Sequence, residues 1–201
     1  MRGMKHTLFF DLGNVLIFFD HQKMCRQIAD YTGIDLEVAQ HAMHNYGDLY
    51  ERGAIDSKRI YDHLCQMSQK KLHFETLMHA VSDIFQPNGD VISIALQAKE
   101  RGHRLFLLSN TCEAHFAFAS QQFPFLKHFD GYVLSYEVGA RKPEKKIYEK
   151  ALDIAGCQNK ECFYTDDVLA YIETARSLEI DAEQYTTPQE LTQHLTLRGI
   201  L

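Results

Sequence analysis

Four short apolar runs, three of which stop abruptly at chemically useful polar residues, constrain the fold of this chain more than any other feature. Thr7–Phe10 ends at Asp11 and leads into Gly13 and Asn14, residues that tolerate unusual backbone angles. A compact run bounded this way reads as a buried strand feeding a tight loop. Arg104–Leu108 ends at Ser109-Asn110, Tyr132–Leu134 forms a third run, and Cys162–Thr165 ends at Asp166-Asp167.

Helical patterns lie between the runs. Asp90–Arg101 carries Val91, Ile94, Ala95 and Ala98 on one face, with Gly102 as its stop. Glu113–Gln122 follows; Pro143 is placed at the first helical position before Glu144–Ala155, which Gly156 ends. Val168–Leu178 keeps Ile172, Ala175 and Leu178 together, and Pro188 opens a last helix over Gln189–Leu197. Strands alternating with helices predict an α/β fold, a Rossmann-like, doubly wound, mostly parallel sheet covered on both faces.

The stretch from about Asp20 to Gln86 breaks that alternation with successive helical patterns at His21–Tyr31, Leu36–Asn45, Ser57–Met67 and Phe74–Phe85. Asp20 and Asp56 are suitable N-terminal caps. The expected organisation is therefore a core domain from residues 1–19 and 87–201, with a helical cap domain, 20–86, inserted after the first strand.

Open α/β sheets bind ligands beyond the carboxyl ends of their strands. Asp11, Ser109-Asn110 and Asp166-Asp167 fall there, and the loop after the third strand adds Arg141-Lys142-Pro143. Three adjacent carboxylates repel one another unless cations intervene. Hard oxygen ligands with no soft partner point to Mg²⁺ as cofactor. A divalent ion, a lysine and a hydroxyl suit the spread charge of a phosphoryl group in transfer, and a carboxylate can be the covalent nucleophile.

Bulk properties narrow the partners. The chain has 201 residues, enough for one domain with a sizeable insertion, and 45% hydrophobic content supplies a core. A net charge of -6 argues against nucleic-acid or acidic-lipid partners, and an anionic partner such as a small phosphorylated metabolite would require the sign to reverse locally. The five cysteines form no CxxC pair and read as free thiols of a reducing, cytoplasmic setting. His41 and His44 lack companions for a metal site. The first apolar run is too short for a signal peptide, and no stretch of roughly 18 apolar residues predicts a membrane span.

The motifs FFDLGNVL, LLSNT, VGARKPEKKIY and CFYTDD, in this order and spacing, resemble motifs I to IV of the haloacid dehalogenase superfamily, and the helical insertion resembles that family's small cap. The resemblance implies Asp11 as nucleophile and metal ligand, the Gly13 carbonyl as a further ligand, and Ser109 and Asn110 as holders of phosphoryl oxygens. It implies that Lys142 neutralises the aspartyl-phosphate. Asp166 and Asp167 are both candidate metal ligands, with Asp167 the direct one and Asp166 paired to Lys142. The implied activity is Mg²⁺-dependent hydrolysis of a small phosphomonoester.

Three positions depart from the pattern. Gly13 stands two residues after the nucleophile, where most such phosphatases carry the acid–base aspartate, a group typically worth about 10²–10⁴-fold. A leaving group needing little protonation, such as an anomeric sugar phosphate, would account for this. DLGN, Glu51-Arg52-Gly53 and SNT with His115 resemble the subgroup containing a phosphatase of glucose 1-phosphate. Neither Arg52 nor His115 is counted as catalytic. Tyr171 replaces a frequent asparagine and Val168 a small polar residue, which predicts weakened metal binding or rate. The alternatives are a 2-haloacid dehalogenase, which attacks carbon without metal, and a weakened family member that binds or regulates.

Overall fold

The computed structural model describes residues 5–201, so the first four residues of the expected core segment lie outside the described residues. The chain opens with strands β1 (Thr7–Phe10) and β2 (Ile17–Phe19). Helices α1 (His21–Thr32), α2 (Leu36–Glu51), α3 (Ser57–Met67) and α4 (Phe74–Ser82) follow, then strand β3 (Phe85–Pro87). From there the order is α5 (Gly89–Glu100), β4 (Arg104–Ser109), α6 (Glu113–Gln122), β5 (Gly131–Leu134), α7 (Ser135–Val138) and α8 (Lys145–Ala155). The last elements are β6 (Cys162–Asp166), α9 (Leu169–Ser177), β7 (Asp181–Gln184) and α10 (Pro188–Leu197).

Five strands form a parallel sheet in the order β5-β4-β1-β6-β7. The sheet is doubly wound from its central strand, β1. Side chains alternate across it, as strand geometry requires. Leu8, Phe10, Leu105, Leu107 and Phe163 share one buried cluster with Val91, Ile94, Leu191 and Leu195, so α5 and α10 cover that face. Phe9, Phe106, Leu108 and Tyr164 share the other with Ile147, Tyr148, Ile172 and Ala175 from α8 and α9. Each fully buried Leu or Phe contributes roughly 1.5–3 kcal/mol, which drives the layering.

The helical insertion has its own cluster, built on Ile28, Ile60, Leu64, Leu77 and Val81, and this continues into Cys112 and Ala114 of the core. It leaves and rejoins through an antiparallel ribbon of β2 and β3, in which Phe18 pairs with Gln86. Both expected caps are present: Asp20 accepts from Lys23 N–H at 2.9 Å and Asp56 from Arg59 N–H at 2.8 Å. No helix among the described residues is long and apolar enough to cross a membrane.

Some boundaries differ from expectation. α2 runs on to Glu51 through Gly47, and α4 stops at Ser82, so that Phe85 joins a strand. Pro143 does not open α8. It sits in a turn closed by Glu144 N–H donating to Arg141 C=O at 2.7 Å, and the helix starts at Lys145.

Candidate active site

Register places the site. Phe10 pairs with Leu107 on one side and Thr165 on the other, so Asp11 emerges level with Leu108 and Asp166. Its own N–H still belongs to the sheet, donating to Thr165 C=O at 3.0 Å. The backbone then turns through Asn14, which adopts a left-handed φ of 57°. Asparagine tolerates that region because its short amide bonds locally. Here Asn14 Nδ2 donates to Asp167 Oδ2 at 3.2 Å, tying the first loop to the acidic pair.

Lys142 fills the space between the carboxylates. Its ammonium donates to Asp11 Oδ1 at 2.6 Å, Asp166 Oδ2 at 2.5 Å and Leu108 C=O at 2.8 Å. Those are all three protons an ammonium has. Lys142 is 3% exposed and Asp166 0%, so this is a buried ion triad rather than a surface pair. The Tyr171 ring lies 5.3 Å from Nζ and the Tyr164 ring 5.8 Å, adding aromatic faces to the cationic cage. Tyr164 Oη also donates to Asp166 Oδ2, and Val168 N–H to Asp166 Oδ1 at 2.9 Å. Asp166 is thus fully engaged by the protein.

Asp11, Asp166 and Asp167 each offer a carboxylate oxygen within 4.8 Å of the others. The donor chemistry fits a hard cation, since every ligand atom is a carboxylate oxygen.

The electrostatics follow from burial. Asp11 is pushed up to about 7, chiefly because it is buried, with the Asp166 and Asp167 charges adding to the effect and Lys142 opposing it. Asp167 is raised by burial and by Asp166. Burial works against the Lys142 ammonium, yet Asp11 and Asp166 outweigh it and hold its pKa above the ordinary lysine value. A cluster this frustrated is a mark of a functional site.

Ser109 and Asn110 end β4 beside the cluster. Ser109 Oγ is buried, its hydrogen bond being a long 3.5 Å contact to Asn110 C=O. The Asn110 side chain does something the sequence did not reveal. Its Nδ2 donates to Lys142 C=O at 3.0 Å while its Oδ1 accepts from Lys142 N–H at 2.8 Å. The amide therefore clamps the backbone of the residue that neutralises Asp11. Asn110 Nδ2 also reaches Tyr171 Oη at 3.5 Å.

Gly13 faces the cleft, but the room beside it is taken. A Cβ there would stand 2.8 Å from Phe19 Cε1. The cleft is lined by Gly13, Phe19, His21, Glu51, Ser109 and His115. It adjoins a cavity of about 460 Å³ under α1 and α2, which shares His21, Glu51 and His115 with it. His115 is lowered to about 4 by burial, and its Nε2 lies 3.2 Å from Val81 C=O. Arg52 turns away from the cleft to pair with Asp48 at 2.9 Å and Glu144 at 2.6 Å. Arg141, placed beside the site by the sequence but given no role there, pairs with Asp48 at 2.5 Å and Glu51 at 2.7 Å, so the loop carrying Lys142 is held against the end of α2.

The sequence model of the haloacid dehalogenase-like hydrolases matches residues 5–178. The chain is 27% identical over 160 residues to the pyrimidine 5'-nucleotidase YjjG of Escherichia coli (strain K12), covering 74% of this chain and 71% of that one. It superimposes with a TM-score of 0.78 on the HAD family enzyme bt-2542 of Bacteroides thetaiotaomicron in complex with magnesium and inorganic phosphate. Identity to that enzyme is 25%, over 92% of this chain and 95% of the other. A predicted HAD-like family hydrolase from Porphyromonas gingivalis gives a TM-score of 0.78 at 22% identity, over 96% of this chain and 98% of that one, a likeness of fold.

Proposed function

This chain belongs to the haloacid dehalogenase-like hydrolase family, and we propose that within it the protein is a Mg²⁺-dependent phosphatase that hydrolyses a small phosphomonoester through an aspartyl-phosphate on Asp11. One observation carries the reading: three carboxylates and one ammonium are packed together, mostly buried, at the carboxyl ends of neighbouring parallel strands. That arrangement is costly for folding alone, because buried charges need compensation. It suits a site that receives a divalent cation and a phosphate.

Asp11, Asp167 and the Gly13 carbonyl would hold the Mg²⁺ ion. Asp166 is already committed to Lys142, Tyr164 and Val168, which supports Asp167 as the direct ligand of the pair. When bound, the ion supplies charge neutralisation at phosphoryl oxygens. The remaining work falls to the chain itself. Lys142 holds Asp11 Oδ1 and so fixes the rotation of the carboxylate. An Asp11 oxygen attacks phosphorus, the P–O bond to the alcohol breaks, and the phosphoryl group rests on Asp11. Water then attacks phosphorus, releasing inorganic phosphate and restoring the carboxylate. Ser109 Oγ and the Asn110 N–H hold phosphoryl oxygens, and Lys142 offsets the charge that shifts on Asp11.

Gly13 offers no acid to the leaving group, and the Phe19 ring fills the place such a side chain would need. An alcohol that leaves easily is therefore the expected product. The hemiacetal oxygen of a sugar 1-phosphate meets that need, and a glucose 1-phosphate-type ester is the substrate we favour. The helices of residues 20–86 act as the cap over a core built from the two flanking segments, and their cavity receives the leaving group. A phosphate-ester panel with Mg²⁺, run beside Asp11→Asn and an EDTA control, tests the reading. Metal-dependent phosphate release that vanishes in the variant is expected. Activity surviving in Asp11→Asn, or halide release from 2-haloacids in EDTA, would overturn it.

A further inference from the structure

Cys157 and Cys162 flank the turn between α8 and β6, far along the strand from the acidic cluster. Their sulfurs stand 2.7 Å apart. That is inside ordinary non-bonded contact and outside the ~2.05 Å of a covalent disulfide. The turn is built to hold them there. Gly156 ends α8 in a left-handed conformation, and a short 3₁₀ turn at Asn159–Glu161 carries a capping box in which Gln158 N–H donates to the Glu161 carboxylate at 3.0 Å. Cys162 opens β6 and is buried, and its single S–H lies within reach of both Gln158 C=O at 3.1 Å and Cys157 Sγ.

The two sulfurs differ in access. Cys157 is half-buried and lines an open hollow of about 720 Å³ with Leu152, Asp153, Asn159 and Leu178. A cation stands close by as well. Arg104 is anchored by Ala155 C=O and Thr7 Oγ1, each at 2.6 Å. The hydrogen bond with Cys162 draws the Cys157 thiol down to about 7 against the effects of burial and of the Glu161 charge, and Thr7 and Arg104 assist. Partly exposed thiols with a hydrogen-bond donor and a cation at hand are the reactive ones, whereas buried ones are inert; here Arg104 is the cation, while Glu149, Asp153 and Glu161 line the hollow itself. Cys112, by contrast, is pushed up to about 12 by burial. No metal explains the pair, since Asp11, Asp166 and Asp167 form the one metal-competent cluster among the described residues.

We propose that Cys157 and Cys162 are a reversible oxidation site, at which a hydroperoxide converts the two thiols into an intramolecular disulfide. The Cys157 thiolate attacks one peroxide oxygen, the O–O bond breaks, and the second oxygen leaves to become water. Cys157 is then a sulfenic acid. Cys162 Sγ attacks the Cys157 sulfur, the S–S bond forms, the S–O bond breaks, and the hydroxyl leaves as water with the Cys162 proton. Two thiols lose two electrons and two protons, and hydrogen peroxide becomes two waters. The site does not depend on the phosphatase reading.

The experiment uses the full chain, reduced, desalted and treated with a few equivalents of hydrogen peroxide. Two of the five thiols are expected to disappear together, with an intact-mass loss of about 2 Da that dithiothreitol reverses. Trypsin cuts after Lys160, so the bond appears as two peptides joined only before reduction. Cys162→Ser should leave Cys157 as a sulfenic acid trapped by dimedone, and Cys157→Ser, or Cys157→Ala if serine disturbs the turn, should abolish the mass loss. A disulfide mapping to other cysteines, or dimedone labelling of Cys157 as strong in the wild type as in Cys162→Ser, would overturn the proposal. So would a full count of free thiols after peroxide.

Discussion

Lys142 Nζ lies 2.6 Å from Asp11 Oδ1, with the lysine side chain 1% and the aspartate side chain 10% exposed, so Asp11 and its counter-charge are one electrostatic unit. Lys142→Met removes the charge and keeps most of the volume. Leaving Asp11 and Asp166 without it should cost about 3–5 kcal/mol of stability in EDTA and abolish hydrolysis. Urea denaturation with and without Mg²⁺ checks this, and the ion should recover stability without recovering turnover. A loss no larger than that of the exposed Lys145→Met would mean the triad is not under charge stress.

The pH dependence of the metal-free protein has a definite sign. Asp11 titrates at about 7 in the fold, chiefly through burial, against an ordinary value of 3.8. Between those values the folded chain binds the extra proton, so this group favours folding fully below about pH 4 and loses that contribution as pH rises toward 7. Denaturant midpoints in EDTA from pH 4 to 8 should therefore fall more steeply for wild type than for Asp11→Asn. Parallel curves for the two proteins would contradict the burial argument.

Gly13 and Phe19 should be energetically coupled. Adding a Cβ at residue 13 brings it to 2.8 Å from Phe19 Cε1, and the ring must give way. Gly13→Ala is expected to destabilise by about 1 kcal/mol, the low end for overpacking because Phe19 is 36% exposed and can shift. Phe19→Ala in the same background should remove most of that penalty, giving a coupling of at least about 0.5 kcal/mol in a double-mutant cycle.

Two aspartates at helix starts should behave differently. Asp56 caps α3 through a hydrogen bond to Arg59 N–H, whereas Asp35 precedes α2 with no side-chain capping bond. Asp56→Ala should cost about 1 kcal/mol and Asp35→Ala close to nothing in thermal unfolding.

How much of this was legible in the residues depended on where the signal lived. β1 and α3 match their expected bounds because an apolar run or a helical period, closed by a cap or a polar stop, is local information. β7 escaped notice because Asp181-Ala182-Glu183-Gln184 is an edge strand with one inward apolar residue, recruited through backbone pairing to β6. β2 and β3 are three residues each, and Phe18 is 47% exposed, so neither shows an alternating pattern. Asp11, Ser109, Asn110, Lys142, Asp166 and Asp167 could be picked out at strand ends and in the loop after β5. The Asn110 clamp on Lys142 and the Arg141 ion pairs could not, since each joins segments far apart in the chain.

Arg141 and Lys142 are neighbours on one short loop, yet they answer to different parts of the molecule: the first to Asp48 and Glu51 at the end of α2, the second to Asp11 and Asp166. A peptide unit spans only about 3.8 Å between Cα atoms. A displacement of the end of α2 is thus transmitted to within one residue of Lys142. Under the proposed reading, opening for product escape and loosening of the Asp11 counter-ion would be the same mechanical event.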